Sequence, residues 1–198
     1  MVFRTKKGSG SEEEAGRVPP GQRAVDGWPV FTYDSVPRID LETWQFRIWG
    51  EVVEEVTFTW EEFMALPKTT LTSDVHCVTG WSKLENVWEG VAFRDVMKHV
   101  RLKPGAEYAM VHSYGDYTTN VPLVHLDDDD VLFACKHNGE DLTPDHGWPL
   151  RLVVPKLYFW KSAKWVRGLR FMSGDRAGFW ETYGYHMRGD PWKQERYS

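Results

Sequence analysis

The stretch "SDVHCVTGW", residues 73–81, ends a strand-like run and places one cysteine just before a Gly-Trp pair. The run "TTLTSDVHC", residues 69–77, is rich in Thr and Val, which favour strands, and Gly80 interrupts the pattern soon after it. A rigid strand that ends at Cys77 would hold this side chain at a loop, where functional groups are commonly found. The sequence therefore predicts a strand from 69 to 77 with Cys77 at its end.

Cys77 has two interpretations at this point. A free cysteine is often a small buried apolar side chain, as we expect for Cys135 in the apolar run "VLFAC". Alternatively, Cys77 is a reactive or metal-binding thiolate, whose soft sulfur selects thiophilic metals over Mg²⁺ or Ca²⁺. A nucleophilic cysteine would need a nearby base, and His76 is a poor one because strand neighbours point to opposite faces. A cysteine hydrolase is therefore disfavoured.

The composition indicates a single acidic domain. The chain has 198 residues and a formal net charge of −5, so no overall basic field indicates nucleic acid or an anionic membrane as a partner. No stretch reaches the roughly 18 apolar residues of a membrane span, and the N-terminus lacks the apolar centre of a secretory signal, which predicts a cytoplasmic protein. The two cysteines form no CxxC or zinc-finger pattern.

The pattern along the chain predicts an arm followed by one domain. Residues 1–24 mix Lys, Gly, Ser and a Glu run and are expected to form an extended, partly mobile arm, whereas residues 25–198 form the domain. Short helices are predicted after the capping residue Thr59 and over 92–100. Because strands do not alternate with long helices, we expect a mixed α+β fold. The predicted strands cover residues 43–50, 56–60, 69–77, 107–113, 117–121, 131–137, 150–154 and 166–172.

A second group of candidate residues lies in "DHGWPLRLVVP", residues 145–155, and in the segment that follows it. His146, Arg151 and Lys164 fall in turn-rich or strand-leading segments, and the planar guanidinium of arginine suits phosphate. Together these three side chains would bind one anion. The alternative is ordinary surface charge beside a buried strand.

Five segments, in this order, resemble the molybdopterin-binding domain of the sulfite oxidase family: "HCVTGW", "WEGVAFRDVM", "NGEDLTPDHGWPLRLVVP", "SAKWVRGLRF" and "FWETYGYHMRGDPW". The resemblance extends from Trp28 to Trp192. It is strongest with short cytoplasmic members, which are related to the catalytic subunit of the periplasmic methionine sulfoxide reductase. It implies a strand-rich α+β fold of the sulfite oxidase type that binds the molybdenum cofactor.

The resemblance also implies roles for individual residues. Cys77 takes the place of the single protein thiolate on molybdenum, and Tyr185 that of the active-site tyrosine. Trp88 corresponds to a tryptophan that walls the substrate pocket. The pterin and its phosphate are expected to be held by His146, Arg151, Ser162, Ala163 and Lys164, with Ser113 as a further candidate.

Two departures from the family bear on the substrate. Sulfite oxidases proper carry a pair of arginines shortly after the metal cysteine, whereas "VTGWS" places Gly80 and Trp81 there. Another arginine of the family is replaced by an apolar or neutral residue near Phe31. An oxyanion that enters a desolvated pocket without paired cations loses hydration that it does not regain. The expected substrate is therefore a neutral oxo compound.

The predicted function is two-electron oxygen-atom transfer by a molybdenum-pterin oxidoreductase, on a small S-oxide or N-oxide rather than sulfite. The protein supplies the thiolate and the pterin site, and the cofactor carries the chemistry. The sequence contains no CxxCH haem motif and no set of cluster-binding cysteines, so we expect a separate electron-transfer protein as partner. The alternative is a non-catalytic domain that binds or carries molybdopterin.

Overall fold

The computed structural model describes residues 16–33 and 35–198. Strands dominate this part of the chain, which confirms the predicted strand-rich α+β class. The strands are β1 (Arg23–Ala24), β2 (Gln45–Gly50), β3 (Val56–Thr59), β4 (Thr69–Cys77), β5 (Trp81–Ala92), β6 (Tyr108–Ser113), β7 (Thr118–Pro122), β8 (Leu132–His137), β9 (Glu140–Asp141), β10 (Arg151–Val153) and β11 (Val166–Met172). The short helices are α1 (Trp60–Met64), α2 (Phe93–Met97), α3 (Leu123–Leu126) and α4 (Phe179–Thr182), with 3₁₀ turns at Pro144–His146 and Phe159–Lys161.

The first sheet is organised around the long strand β5. In the order β1-β5-β8-β10, β5 pairs in parallel with β1 and antiparallel with β8, while β4 pairs with β5 and β9 with β8. The β4–β5 pairing runs antiparallel from Thr69 opposite Gly90 to Cys77 opposite Trp81. Cys77 is therefore fixed at the end of a long ladder, as the sequence predicts.

The second sheet has the order β3-β2-β11-β6-β7. Its central pair, β2 and β11, is parallel, and the other pairs are antiparallel. The main core lies where side chains of the two sheets meet: the rings of Phe46 on β2 and Phe133 on β8 lie 5.0 Å apart at a steep angle. Packing between the sheets thus buries one face of each.

The first sheet also buries part of its other face. Along β8, Phe133 and Cys135 belong to the main core, whereas Leu132 and Ala134 belong to a second, smaller cluster. This alternation follows from the period of two along a strand. Because Cys77 packs against the smaller cluster, the candidate site lies on that face.

The bounds of the two helices expected from the sequence were predicted with different accuracy. In α1, Thr59 caps the helix: its hydroxyl accepts from the Glu62 amide at 3.2 Å, and the Glu62 carboxylate accepts from the Thr59 amide at 2.8 Å. The helix predicted over 92–100 is shorter, covering only Phe93–Met97. β5 continues to Ala92, so the helix starts later, and tighter turns end it.

The first residues that the structure describes lie against the first sheet. The Arg17 guanidinium pairs with Asp74 at 2.6 Å and with Glu85 at 3.2 Å, and β1 pairs with the start of β5. Residues 1–15 of the predicted arm lie outside the described residues. The division at residue 24 stays a prediction.

The sequence also predicts that the chain has no membrane span. In residues 16–33 and 35–198, no helix combines the length and the apolar character that crossing a bilayer requires. The α-helices of this part have at most five residues. The predicted cytoplasmic location stays a prediction.

Candidate active site

A cavity of about 310 Å³ lies at the end of β4. Seven of the nine site residues predicted from the sequence line it: Cys77, His146, Arg151, Ser162, Ala163, Lys164 and Tyr185. These residues come from four separate parts of the chain, so the fold brings them together. Aromatic rings form much of the remaining wall: Trp28, Phe31, Tyr33, Trp81, Tyr117, Phe159, Trp160, Trp165 and Trp180.

Cys77 is a free cysteine whose sulfur lies 3.1 Å from the hydroxyl oxygen of Thr79. Burial raises the pKa of the Cys77 thiol, while hydrogen bonds from Thr79 and the charge of Arg196 lower it. A cation bound at the sulfur would favour the thiolate, which is the form that ligates metals. The site therefore presents one polarisable sulfur to the cavity.

His76 does not serve as a base for Cys77. Its ring nitrogen Nδ1 lies 2.8 Å from the Ser82 hydroxyl, and its side chain is buried away from the cavity lining. Burial lowers the pKa of His76 to about 4. The strand directs these two neighbours to opposite faces, so nothing at this position supports a cysteine hydrolase.

The turn after Cys77 is held from both ends of the described chain. The Gly80 amide and the side-chain amide of Gln22 each donate to the Cys77 carbonyl at 3.0 Å. The Arg196 guanidinium donates to the carbonyl of Val78. These bonds fix the backbone on which the Cys77 sulfur is presented.

Arg151 is a buried cation without an anionic partner among the described residues. Its guanidinium donates to the carbonyls of His146 and Ser162, both at 2.9 Å, and its Nε has no hydrogen-bond acceptor in this part of the chain. The side chain is 2% exposed. Burial lowers the pKa of Arg151 to about 9, and no neighbouring carboxylate counteracts this effect. An anion in the cavity would relieve this unpaired charge.

Lys164 and His146 extend the cationic side of the cavity. The Lys164 ammonium donates to the carbonyls of Phe31 and Asp145, both at 2.9 Å, and burial lowers the pKa of Lys164 to about 8. The His146 ring stacks on Trp28 with 4.3 Å between centroids, and its buried Nε2 has no partner among the described residues. The cations Arg151 and Lys164 thus lie on the same side of the cavity as the unpaired nitrogens Nε2 of His146 and Nε of Arg151.

Gly147 permits the close approach of these groups. It adopts φ +110°, and a Cβ at this position would lie 3.1 Å from the Cβ atoms of both Arg151 and Lys164. A side chain here would be strained, and it would crowd the Cβ atoms of Arg151 and Lys164. The sequence "HGWPLR" therefore needs its glycine for the close approach of the segments that carry Arg151 and Lys164.

The residues at the cavity fit a molybdopterin cofactor. Two cations that form no salt bridge among the described residues, with the unpaired Nε of Arg151, suit a phosphate group, although the Asp145 charge raises the pKa of Lys164. The described residues contain no group of three or more His, Cys, Asp or Glu side chains that could hold a metal. A metal at Cys77 would therefore take most of its ligands from the cofactor, and the single soft sulfur suits molybdenum.

Tyr185 enters the cavity from the C-terminal segment. Its ring stacks on Trp180 and meets Trp160 edge-on, each at 5.1 Å between centroids. Burial raises the pKa of Tyr185, and a charge on Cys77 raises it further. The phenol therefore stays protonated near neutral pH and is available as a hydrogen-bond donor.

Two predicted site residues do not line the cavity. Trp88 is fully buried in the smaller cluster, where it meets Trp28 edge-on at 5.4 Å, and Trp28 takes its place in the wall. Ser113 is buried at the end of β6 in the second sheet. It reaches the site only indirectly, because its amide donates to the carbonyl of the lining residue Tyr117 at 3.0 Å.

The sequence reasoning missed a buried ion pair beneath the cavity. The Lys161 ammonium contacts Glu181 at 2.6 Å, and both side chains are fully buried. The same carboxylate oxygen accepts from the Trp160 indole and the Thr119 hydroxyl, each at 2.8 Å. The charged residue within the apolar run "LYFWK" was the available signal.

The sequence matches the family described as "Oxidoreductase molybdopterin binding domain" over residues 33–180. The chain belongs to this family, and it is a molybdenum cofactor-dependent oxidoreductase of the sulfite oxidase type. The family, the cofactor and the enzyme class predicted from the sequence are thereby confirmed.

Named relatives place the chain within this family. "Uncharacterized oxidoreductase YuiH" of Bacillus subtilis (strain 168) is 44% identical over 187 residues, which are 94% of each chain. "Putative protein-methionine-sulfoxide reductase subunit YedZ1" of Azospira oryzae is 26% identical and aligns with 79% of this chain and 59% of its own. Sulfite oxidase of Arabidopsis thaliana is 26% identical, with coverages of 82% and 51%.

A solved structure shares the fold. The sulfane dehydrogenase SoxCD from Paracoccus pantotrophus superposes with a TM-score of 0.64 at 23% identity. The match covers 70% of this chain and 40% of that chain. The common feature is the strand-rich molybdopterin-binding architecture.

Proposed function

We propose that this cavity holds the molybdenum cofactor with Cys77 as the protein ligand, and that the enzyme transfers an oxygen atom to or from a small neutral substrate. The observation that carries the proposal is the convergence on one cavity of one free thiol, Lys164 and the buried Arg151, which has no carboxylate partner among the described residues. When bound, the cofactor supplies two-electron redox chemistry coupled to oxygen-atom exchange. The chain's own residues bind the cofactor, orient the substrate and exclude water from the cavity.

In this proposal the cationic side of the cavity holds the pterin and its phosphate. Arg151 and Lys164 provide charge-assisted donors, and His146 provides its unpaired Nε2. Ser162 and Ala163 directly precede Lys164 in the chain and line the same cavity, and the Ser162 carbonyl accepts from Arg151. The cations therefore serve the cofactor and are not available to a substrate.

The remaining wall favours a neutral substrate. Apart from Arg151 and Lys164, no lysine or arginine lines the cavity among the described residues. Trp81, where sulfite oxidases carry arginine, is largely buried in the wall. Sulfite would lose hydration in this aromatic pocket without a paired cation. We propose an S-oxide or N-oxide as substrate, with the Tyr185 phenol donating a hydrogen bond to its oxygen.

The enzyme must exchange electrons with another molecule in each catalytic cycle. The sequence has two cysteines and no CxxCH or cluster-binding pattern, so a separate redox protein is proposed to exchange electrons with the enzyme. Reduced viologen can take its place in an assay.

The substrate preference is testable by comparing kcat/KM values. We expect larger values for methionine sulfoxide and trimethylamine N-oxide, measured with reduced viologen, than for sulfite, measured with an artificial acceptor. The reason is the desolvation cost of the anion in a pocket whose cations are engaged. A higher value for sulfite would overturn the substrate proposal, and molybdenum-loaded protein that turns over none of the three would overturn the catalytic one.

Replacing Arg151 by alanine should weaken cofactor retention. Loss of a charge-assisted hydrogen bond to an enclosed phosphate costs about 1.5–3 kcal/mol. This corresponds to roughly 10- to 150-fold weaker binding. The measurement is pterin content per protein after gel filtration.

The matched control for this variant is Arg167→Ala. Arg167 is exposed, and its guanidinium lies 5.3 Å from the Tyr114 ring, outside the cavity lining. This substitution should leave pterin content unchanged. Equal pterin content in both variants and the wild type would contradict the assignment of Arg151.

A further inference from the structure

The Cys77 sulfur has a neighbour whose role the proposed chemistry does not explain. The Thr79 hydroxyl oxygen lies 3.1 Å from this sulfur, within hydrogen-bonding distance for a sulfur acceptor, and both residues line the cavity. A hydroxyl can donate to a thiolate, whereas a metal-bound thiolate has no proton to donate back. In the metal-bound form, Thr79 is therefore the donor.

The position of this hydroxyl is set by the turn that carries it. The Gly80 amide closes the turn onto the Cys77 carbonyl at 3.0 Å, with Gly80 at φ +95°. Gln22 binds the same carbonyl, and Arg196 binds that of Val78. Thr79 lies inside this braced turn, so its contact with Cys77 follows from backbone geometry.

We propose that Thr79 is a positioning residue that tunes the bound metal through Cys77. The inference rests on the proposed role of Cys77 as the molybdenum ligand. A hydrogen bond to a ligating thiolate withdraws electron density from the sulfur and weakens its donation to the metal. The electron-rich, reduced metal is then favoured, so Thr79 raises the reduction potential of the site. This direction suits an enzyme that accepts electrons from a donor protein and reduces an oxo compound.

The test compares two substitutions of similar size in the cofactor-loaded enzyme. Thr79→Val keeps the branched shape and removes the hydroxyl, whereas Thr79→Ser keeps the hydroxyl. The readouts are the midpoint potential of the molybdenum couple, from a redox titration followed by electron paramagnetic resonance, and the sulfur-to-metal charge-transfer absorption. We expect a lower midpoint potential and a shifted absorption band in Thr79→Val, with Thr79→Ser close to the wild type.

The Cys77→Ser variant, measured in the same way, separates the inference about Thr79 from the assignment of Cys77 as the metal ligand. If Cys77→Ser alters the absorption band while Thr79→Val leaves both the potential and the band as in the wild type, the inference about Thr79 is wrong and the ligand assignment stands. If Cys77→Ser leaves the band unchanged, Cys77 is not the ligand and both fall. Because the Thr79 side chain is exposed, neither substitution at this position should disturb folding.

Discussion

Cys77→Ser should abolish turnover while the protein remains folded. A serine hydroxyl is a hard, neutral group at neutral pH, and it is a poor replacement for a soft anionic sulfur on molybdenum. The turn is held through backbone carbonyls, which serine retains, so the fold should persist. The measurement is kcat with viologen and a sulfoxide, together with circular dichroism and the molybdenum content of the purified protein.

Cys135→Ser is the matched control for this loss. Cys135 belongs to the main core, and its thiol donates to the Glu89 carbonyl at 3.5 Å, a bond that a serine hydroxyl can replace. Activity should therefore persist in this variant. Wild-type turnover by a folded, loaded Cys77→Ser protein would show that Cys77 is not the metal ligand.

Much of the fold follows from local patterns. The strand that ends at Cys77 and the capping box at Thr59 were predicted because alternation and capping are local signals. β5 was missed because Ser82, Lys83, Glu85 and Asn86 are polar and Gly90 interrupts the pattern. That glycine is required by tertiary packing, since a Cβ there would lie 2.0 Å from the Phe133 carbonyl oxygen. The two-residue β1 was missed because its partner strand, β5, is distant in sequence.

The site likewise has a part that could be predicted from the sequence and a part that depends on long-range packing. Family resemblance predicted Cys77 and residues of the segments 146–151 and 162–164, which line the cavity, since their order along the chain carries the signal. The boundary of the cavity depends on which rings reach it: Trp28 folds over His146 and lines the wall that Trp88 was expected to form. Such long-range packing leaves no periodic pattern in the sequence.

The buried pair of Lys161 and Glu181 joins the segment that leads into the cavity residues Ser162, Ala163 and Lys164 to the segment that leads to Tyr185. The Lys161 ammonium shares its three N–H donors among four nearby oxygens: that of Glu181 at 2.6 Å, the Met187 carbonyl at 2.7 Å, and the carbonyl and side-chain oxygens of Asn120, both at 2.8 Å. Burial lowers the pKa of Lys161, and Glu181 counteracts this effect. One ion pair and hydrogen bonds to neutral oxygens thus connect the 3₁₀ turn of Lys161 with α4, β7 and the segment at Met187.

Lys161→Met should therefore destabilise the protein strongly. Removing one partner leaves the Glu181 charge buried, at a cost of about 3–5 kcal/mol in the free energy of unfolding. The measurement is chemical denaturation of the cofactor-free protein. Lys98→Met is the matched control, because Lys98 pairs with Asp95 at the surface, where an ion pair contributes about 0–1 kcal/mol. Adding Glu181→Gln to Lys161→Met removes the stranded charge and should restore part of the loss; a double variant less stable than Lys161→Met would refute this account of the pair.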